Sequence, residues 1–284
     1  MTTVSCKLYA DDLKLYCPIV PTLGFSESLQ TSLDNLCDWS LKWQLPINVD
    51  KSFFVTISRN NICNCVHSYR ILCSLLTRRF SVDDLGIAYD CNLCFDNYVN
   101  NIASSAKAKV GLLFRSFKTR DPALLKRAYV TYIRPKLEYA SNLWNPFHKT
   151  TIAVLENVQR YFTRRIPSLS IFSYEERLAM LNLDTLEKRR LKSDLVLYYK
   201  ILHGLSSIPA SAFDTYNTCS VSRSKSSLLR KNIADTQACY FSFFNRAVDC
   251  WNVLPSSLTD ASSLSVFRSK LDMTDLSHYC TVLA

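Results

Sequence analysis

Glycine is nearly absent, with four residues in a chain of 284. So little of the one residue that enters left-handed backbone freely argues against a turn-rich all-β protein and favours helices. No run of about 18 apolar residues occurs, so no transmembrane helix and no membrane partner are expected. Lys7, Asp11 and Asp12 come too early for the apolar region of a signal peptide. An intracellular protein, cytoplasmic or nuclear and not secreted, is therefore expected. Zinc-type ligand spacing is missing too, although there are twelve cysteines. The close pairs, Cys63 with Cys65 and Cys91 with Cys94, have no second Cys or His pair at ligand spacing. Free thiols in a reducing compartment account for them, and zinc is not expected.

What the chain does have is length for two or three compact units and a formal charge of +10. The excess is uneven. Residues 103–203 hold 19 Lys and Arg against eight Asp and Glu, whereas 1–102 hold eight against ten and 204–284 seven against six. A basic middle third is the electrostatic signature of a phosphate-backbone binder. Scattered lysines on a solvated helical face give the same count.

The stretch around which the chain is organised is Tyr9-Ala10-Asp11-Asp12-Leu13. Apolar or β-tolerant residues lead in from Val4, and Leu13 to Cys17 alternate in polarity, which reads as strand, tight turn, strand. At the tip of a hairpin both carboxylates can reach solvent. Their mutual repulsion invites a divalent cation, and hard oxygen ligands without His or Cys suit magnesium or manganese. An acidic turn without function is the plainer alternative, because Asp is common in turns.

Downstream, Leu29, Leu33, Leu36, Cys37, Ser40 and Trp43 give an amphipathic helix over 27–43 after a Ser26 cap. Residues 53–57 read as a strand and 59–80 as irregular. Val82 to Asp90 reads as a hairpin in which Gly86 either supplies a special backbone angle or allows close approach, with Asp83-Asp84 as a solvated turn. Helices are expected over 98–117, from Asp121-Pro122 to about residue 134, and over 151–166. Ser173-x-x-Glu176 is a capping box, and Asp184-x-x-Glu187 opens a longer helix closed by Gly204. Arg160, Arg164 and Arg165 form one basic cluster, and Lys188, Arg189, Arg190 and Lys192 another. Both are candidates for phosphate contacts, which the guanidinium fork suits. After a Ser-rich stretch, Tyr240, Phe243, Phe244, Ala247, Val248 and Trp251 predict a single amphipathic helix, read as core. Leu264, Phe267 and Leu271 predict a last short one.

Taken together these segments resemble, in order, the C-terminal part of a non-LTR (LINE-type) retrotransposon reverse transcriptase. Tyr9–Leu13, Arg134–Pro146 and the Trp251-Asn252-Val253-Leu254-Pro255 run carry the resemblance. It implies an RNA-directed DNA polymerase with Mg2+ or Mn2+ as cofactor, and an RNA template and DNA primer as partners. In its two-ion chemistry one ion activates the primer 3′-hydroxyl and the other holds the leaving diphosphate. By resemblance Asp11 is the shared metal ligand, Asp12 its partner, Tyr9 a group beside the primer end, Lys51 a leaving-group contact and Gly86 part of a primer grip. The implied fold is α+β: a palm remnant over 1–90, a basic thumb-like helical region over 91–205, a linker over 206–232 and a helical region over 233–284. The family's palm carries a further aspartate on an earlier strand, with fingers before it. No such segment lies between Met1 and the hairpin, so a fragment or truncated copy, inactive alone, is expected. A non-catalytic nucleic-acid-binding remnant is the alternative reading.

Overall fold

The computed structural model describes residues 4–19, 26–57, 68–216, 228–233 and 236–280. It divides into two compact units, 1–94 and 95–284. The architecture is α+β, with short strands concentrated in the first unit and helices in the second.

In the first unit β1 (Ser5–Tyr9) and β2 (Asp12–Tyr16) pair antiparallel, with Tyr9 opposite Asp12 and Lys7 opposite Lys14. Helix α1 spans Glu27–Trp43. Ser26 caps it by accepting from the Leu29 amide, and Gln44 ends it in the left-handed region. Leu33 and Cys37 of this helix, with Tyr69, Ile71 and Leu76, form a small buried core on which Leu15 of β2 and Phe54 pack. One residue of the hairpin's apolar face is thus anchored, which holds the turn at the surface.

The expected strand over 53–57 is shorter than its β-branched run suggests. Only β3 (Phe53–Phe54) pairs, in parallel with β6 (Thr77–Arg78). Residues 59–80 are not wholly irregular either. Those from 58 to 67 lie outside the described residues. After them β4 (Arg70–Ile71) and β5 (Ser74–Leu75) form a small hairpin whose turn places Leu72 and Cys73 at positive φ. Such two-residue strands carry no readable alternation. The hairpin β7 (Ser81–Asp84) to β8 (Ile87–Asp90) turns through Leu85 (φ 50°) and Gly86 (φ 78°). Two positive φ angles make a type I′ turn, which glycine accommodates at its second position.

The second unit opens with α2 (Asp96–Ser116), α3 (Pro122–Tyr132), α4 (Arg134–Glu138) and α5 (Ser141–Trp144). Asp121 caps α3 through both carboxylate oxygens, with Pro122 in the first turn. Helices α6 (Lys149–Arg164), α7 (Tyr174–Leu181) and α8 (Leu186–Leu202) follow. Tyr129 stacks on Phe162 at 4.3 Å, and Trp144, 1 % exposed, donates to the Tyr139 carbonyl at 2.7 Å. Trp144 is therefore a core anchor. Ser173 and Glu176 make the expected capping box of α7. The cap of α8 is Thr185 rather than the expected Asp184, whose carboxylate is held instead by Lys188 and Lys192.

Strands β9 (Asp214–Tyr216) and β10 (Leu228–Arg230) pair antiparallel. The rest of the Ser-rich stretch, 217–227, lies outside the described residues. The helix expected over 240–251 is broken into α9 (Gln237–Tyr240), α10 (Phe243–Arg246) and α11 (Val248–Val253). Tertiary hydrogen bonds interrupt it. Buried Asn245 donates to the Cys239 and Asn232 carbonyls and accepts from the Asn232 amide, while Tyr198 donates to the Phe243 carbonyl. The Phe243 carbonyl would otherwise carry the helical ladder, and the Cys239 carbonyl is shared between Asn245 and the Ser242 amide. With α12 (Ser256–Thr259) and α13 (Leu264–Asp272), these helices share an apolar core with α8 that includes Tyr198, Tyr199, Trp251 and Phe267. Among the described residues no helix is long and apolar enough to cross a membrane.

Candidate carboxylate hairpin and basic helical face

Cross-strand partners share a face of a hairpin, so Tyr9, Asp12, Lys7 and Lys14 lie on one side and Leu8, Leu13, Cys6 and Leu15 on the other. Asp11 occupies the two-residue turn with Ala10, and both carboxylates are exposed. Tyr9 is exposed as well, at 66 %. The hairpin therefore presents two acidic groups and a phenol to solvent, on strands that Leu15 alone packs against the core.

Lys14 is ion-paired with Asp84 of the β7–β8 hairpin. Asp84 is thus not part of a free acidic turn, and the Gly86 hairpin is tied to the strand that carries Asp12. Tyr89 lies against the same pair. Burial raises its hydroxyl pKa, the Asp84 carboxylate adds to the rise, and Lys14 opposes it. Lys51 sits in a separate single turn that Asn48 caps, and it is exposed. Among the described residues no group of three or more His, Cys, Asp or Glu side chains is placed to hold a metal ion. A two-ion centre needs carboxylates from more than one strand. Asp11 and Asp12 alone do not fit such a centre.

The arginines separate into two kinds. Arg160 is half-buried, with its guanidinium 4.4 Å from the Tyr174 ring, and Arg164 and Arg165 are exposed at the end of α6. Arg165 lies over Phe114 at 4.9 Å and donates to the Tyr161 hydroxyl, while Lys107 of α2 sits 5.2 Å from the same Tyr161 ring. Arg177 joins the group. Burial lowers its pKa, and nearby Arg164 and Arg160 lower it further. Cations from α2, α6 and α7 are thereby gathered on aromatic supports that fix their direction.

Lys188, Arg189 and Arg190 are placed differently. Lys188 pairs with Asp184, and Arg189 grips Glu138 with two nitrogens. Arg190 is 1 % exposed and donates to the Asn145 side-chain oxygen, Oδ1, at 2.8 Å. The sequence shows four basic residues in a row of five. Of these only Arg190 is buried; Lys188, Arg189 and Lys192 are half-buried and paired with carboxylates of the same unit.

That interior holds a polar network which the sequence reading missed. Glu156, fully buried, accepts from the Tyr174 hydroxyl and from the Leu186 amide at the start of α8, and Gln159 bonds Tyr129, Tyr174 and the Asp184 carbonyl. Burial raises the Glu156 pKa, against the pull of Tyr174, Arg190 and the backbone amides. A Glu and a Gln three residues apart on the apolar side of α6 were the available signal.

Comparison with known proteins gives two relatives. Over 126 residues, 43 % of this chain, it is 32 % identical to an uncharacterised protein of Caenorhabditis elegans, of which it covers 64 %. Over 161 residues, 56 % of the chain, it is 25 % identical to the RNA-directed DNA polymerase from mobile element jockey of Drosophila funebris. Just over half of the chain is thus similar to a region of a reverse transcriptase. It spans 17 % of the length of the jockey polymerase. No family model and no solved structure matches it.

Proposed function

We propose that the chain is part of an RNA-directed DNA polymerase of the non-LTR (LINE) type, acting on an RNA template and a DNA primer. In this reading Asp11 and Asp12 contribute two of the carboxylates that hold Mg2+ or Mn2+, other ligands completing the centre. Tyr9 and the Gly86 hairpin lie beside the primer end. Arg160, Arg164 and Arg165 meet the sugar–phosphate backbone, whereas Lys188 and Arg189 are engaged by Asp184 and Glu138 and Arg190 is buried. The observation that carries the reading is Tyr-Ala-Asp-Asp-Leu at the exposed turn of an antiparallel hairpin. The similarity to the jockey polymerase supports it. A second reading, a nucleic-acid-binding chain without catalysis, is favoured by the absence of a third metal-ligating side chain near the hairpin among the described residues.

Primer extension on an RNA template with magnesium or manganese, using Asp11→Asn as control, separates the two. Binding of the chain to an RNA–DNA primer-template is expected under either reading. Its affinity should fall steeply with salt, because each neutralised phosphate releases counterions. Replacing Arg160, Arg164 and Arg165 together by Ala should flatten the log–log salt slope by about two to three, roughly 0.7–0.9 per phosphate contact. An unchanged slope removes these arginines from the interface, and a chain that binds no primer-template overturns both readings.

A further inference from the structure

We propose that the helical unit carries a second nucleic-acid site, a stacking platform for the bases of a single strand. It is built from Phe147 and His148, just before α6, and from Tyr240 and Phe241 at the end of α9. This goes beyond the reading above, which places only backbone contacts on the Arg160 group.

Phe147 and Phe241 are 94 positions apart in sequence, yet their rings lie parallel, 4.3 Å apart with planes 3° from coincidence. His148 lies 4.0 Å from Phe147 with its plane tilted by 46°, and Tyr240 and Phe241 meet in a T-shape at 4.9 Å. The inner pair is half-buried, whereas His148 and Tyr240, the two ends, are exposed. A contact serving only to staple the loop to α9 needs the inner pair alone. The end rings bury little and leave the row open to solvent on both sides.

A lysine lies near each end of the row, one of them ion-paired. The Lys231 ammonium lies 5.4 Å from the Tyr240 ring and is held there by Asp249 at 2.5 Å, and exposed Lys149 follows His148. Aromatic faces stack on any base and the Lys149 ammonium can donate to a phosphate, which is the chemistry of single-strand binding without sequence preference. In a duplex the bases are already stacked on each other and offer no free faces. A duplex can use the Arg160 group but not this row. Phe243, Phe244 and Trp251 pack into the core. Tyr240, grouped with them by spacing, turns outward because the helix breaks after it.

The test measures binding of labelled oligo(U) RNA, oligo(dT) DNA and a short duplex to the whole chain by fluorescence anisotropy. Variants are Tyr240→Ala, His148→Ala and Phe147→Leu, with thermal melting to confirm folding. Each should weaken single-strand binding by roughly five- to a hundredfold, the cost of one lost stack, while duplex binding stays within about twofold. Tyr240→Phe should retain single-strand affinity and Tyr240→Leu should lose it, at equal melting temperature. The arginine triple variant should weaken both forms. Ring variants that leave single-strand affinity unchanged, or that lower both forms equally, overturn the platform while leaving the polymerase reading in place.

Discussion

Arg246 of α10 holds Asp194 of α8 with two nitrogens, Nε and Nη2, each at 2.7 Å, and Nη2 also reaches the Asn142 carbonyl at 2.7 Å. Asp194 is 1 % exposed and further accepts from Asn142 at 2.8 Å. Residues from α5, α8 and α10 thus meet at one buried carboxylate, 52 positions before its arginine.

Arg246→Ala should leave Asp194 charged and buried without its counter-ion. Removing one partner of such a pair costs about 3–5 kcal/mol. Urea denaturation should show that loss, and a change below about 0.5 kcal/mol would mean that the pair is solvated in solution. Asp194→Asn, which keeps the hydrogen-bond acceptor, should cost less than Asp194→Ala.

Asp184 gives a pH dependence of defined sign. Burial pushes its pKa up, but hydrogen bonds from Lys192 and Lys188, with the charges of both lysines, leave it below the ordinary value. A carboxylate whose folded pKa is depressed stabilises the fold above its unfolded value, about 3.9, and that contribution disappears as pH falls through the folded value. Stability should therefore decline on the acid side of about pH 4. Asp184→Asn should flatten that limb without steepening it elsewhere. An identical acid limb in the variant would mean that the two lysines do not hold the carboxylate.

Burial pushes the thiols of Cys250 and Cys280 up to about 12, each also raised by a neighbouring negative group. At pH 8 both should resist an alkylating reagent until the unit unfolds, since the thiolate is the reactive species. Cys6, Cys73 and Cys239 are exposed and should be labelled first. Mass spectrometry of partially labelled protein distinguishes the two groups. Early labelling of Cys250 would show that the last helices detach from α8.

Local signals were legible where one segment suffices to decide the structure. The Tyr9–Leu13 hairpin, α1, the Asp121-Pro122 cap and the Ser173 capping box all follow from neighbouring residues. What escaped is what long-range contacts decide. Tyr198 breaks an amphipathic pattern that is continuous in sequence, because its hydroxyl takes the Phe243 carbonyl from the ladder, and Asn245 ties the same segment to Asn232. At the candidate sites, Asp11 in the turn and Asp12 at the start of β2 both stand exposed, as a place at the hairpin tip suggests. A row of basic residues, Lys188 to Arg190, gave no sign of which way α8 faces. Asp84 looked like a solvated acid because its partner, Lys14, lies 70 positions away.

Ala10 stands at φ 51°, a conformation in which its Cβ crowds the following carbonyl and which glycine adopts at little cost. A glycine there would relax the tip and open more backbone states to it. Alanine does the reverse: fewer orientations are available to the peptide that joins Tyr9 to Asp11. The two carboxylates are therefore aimed by a stiff turn instead of sampled from a loose one. Ala10→Gly would exchange that aim for conformational freedom without removing a single polar atom.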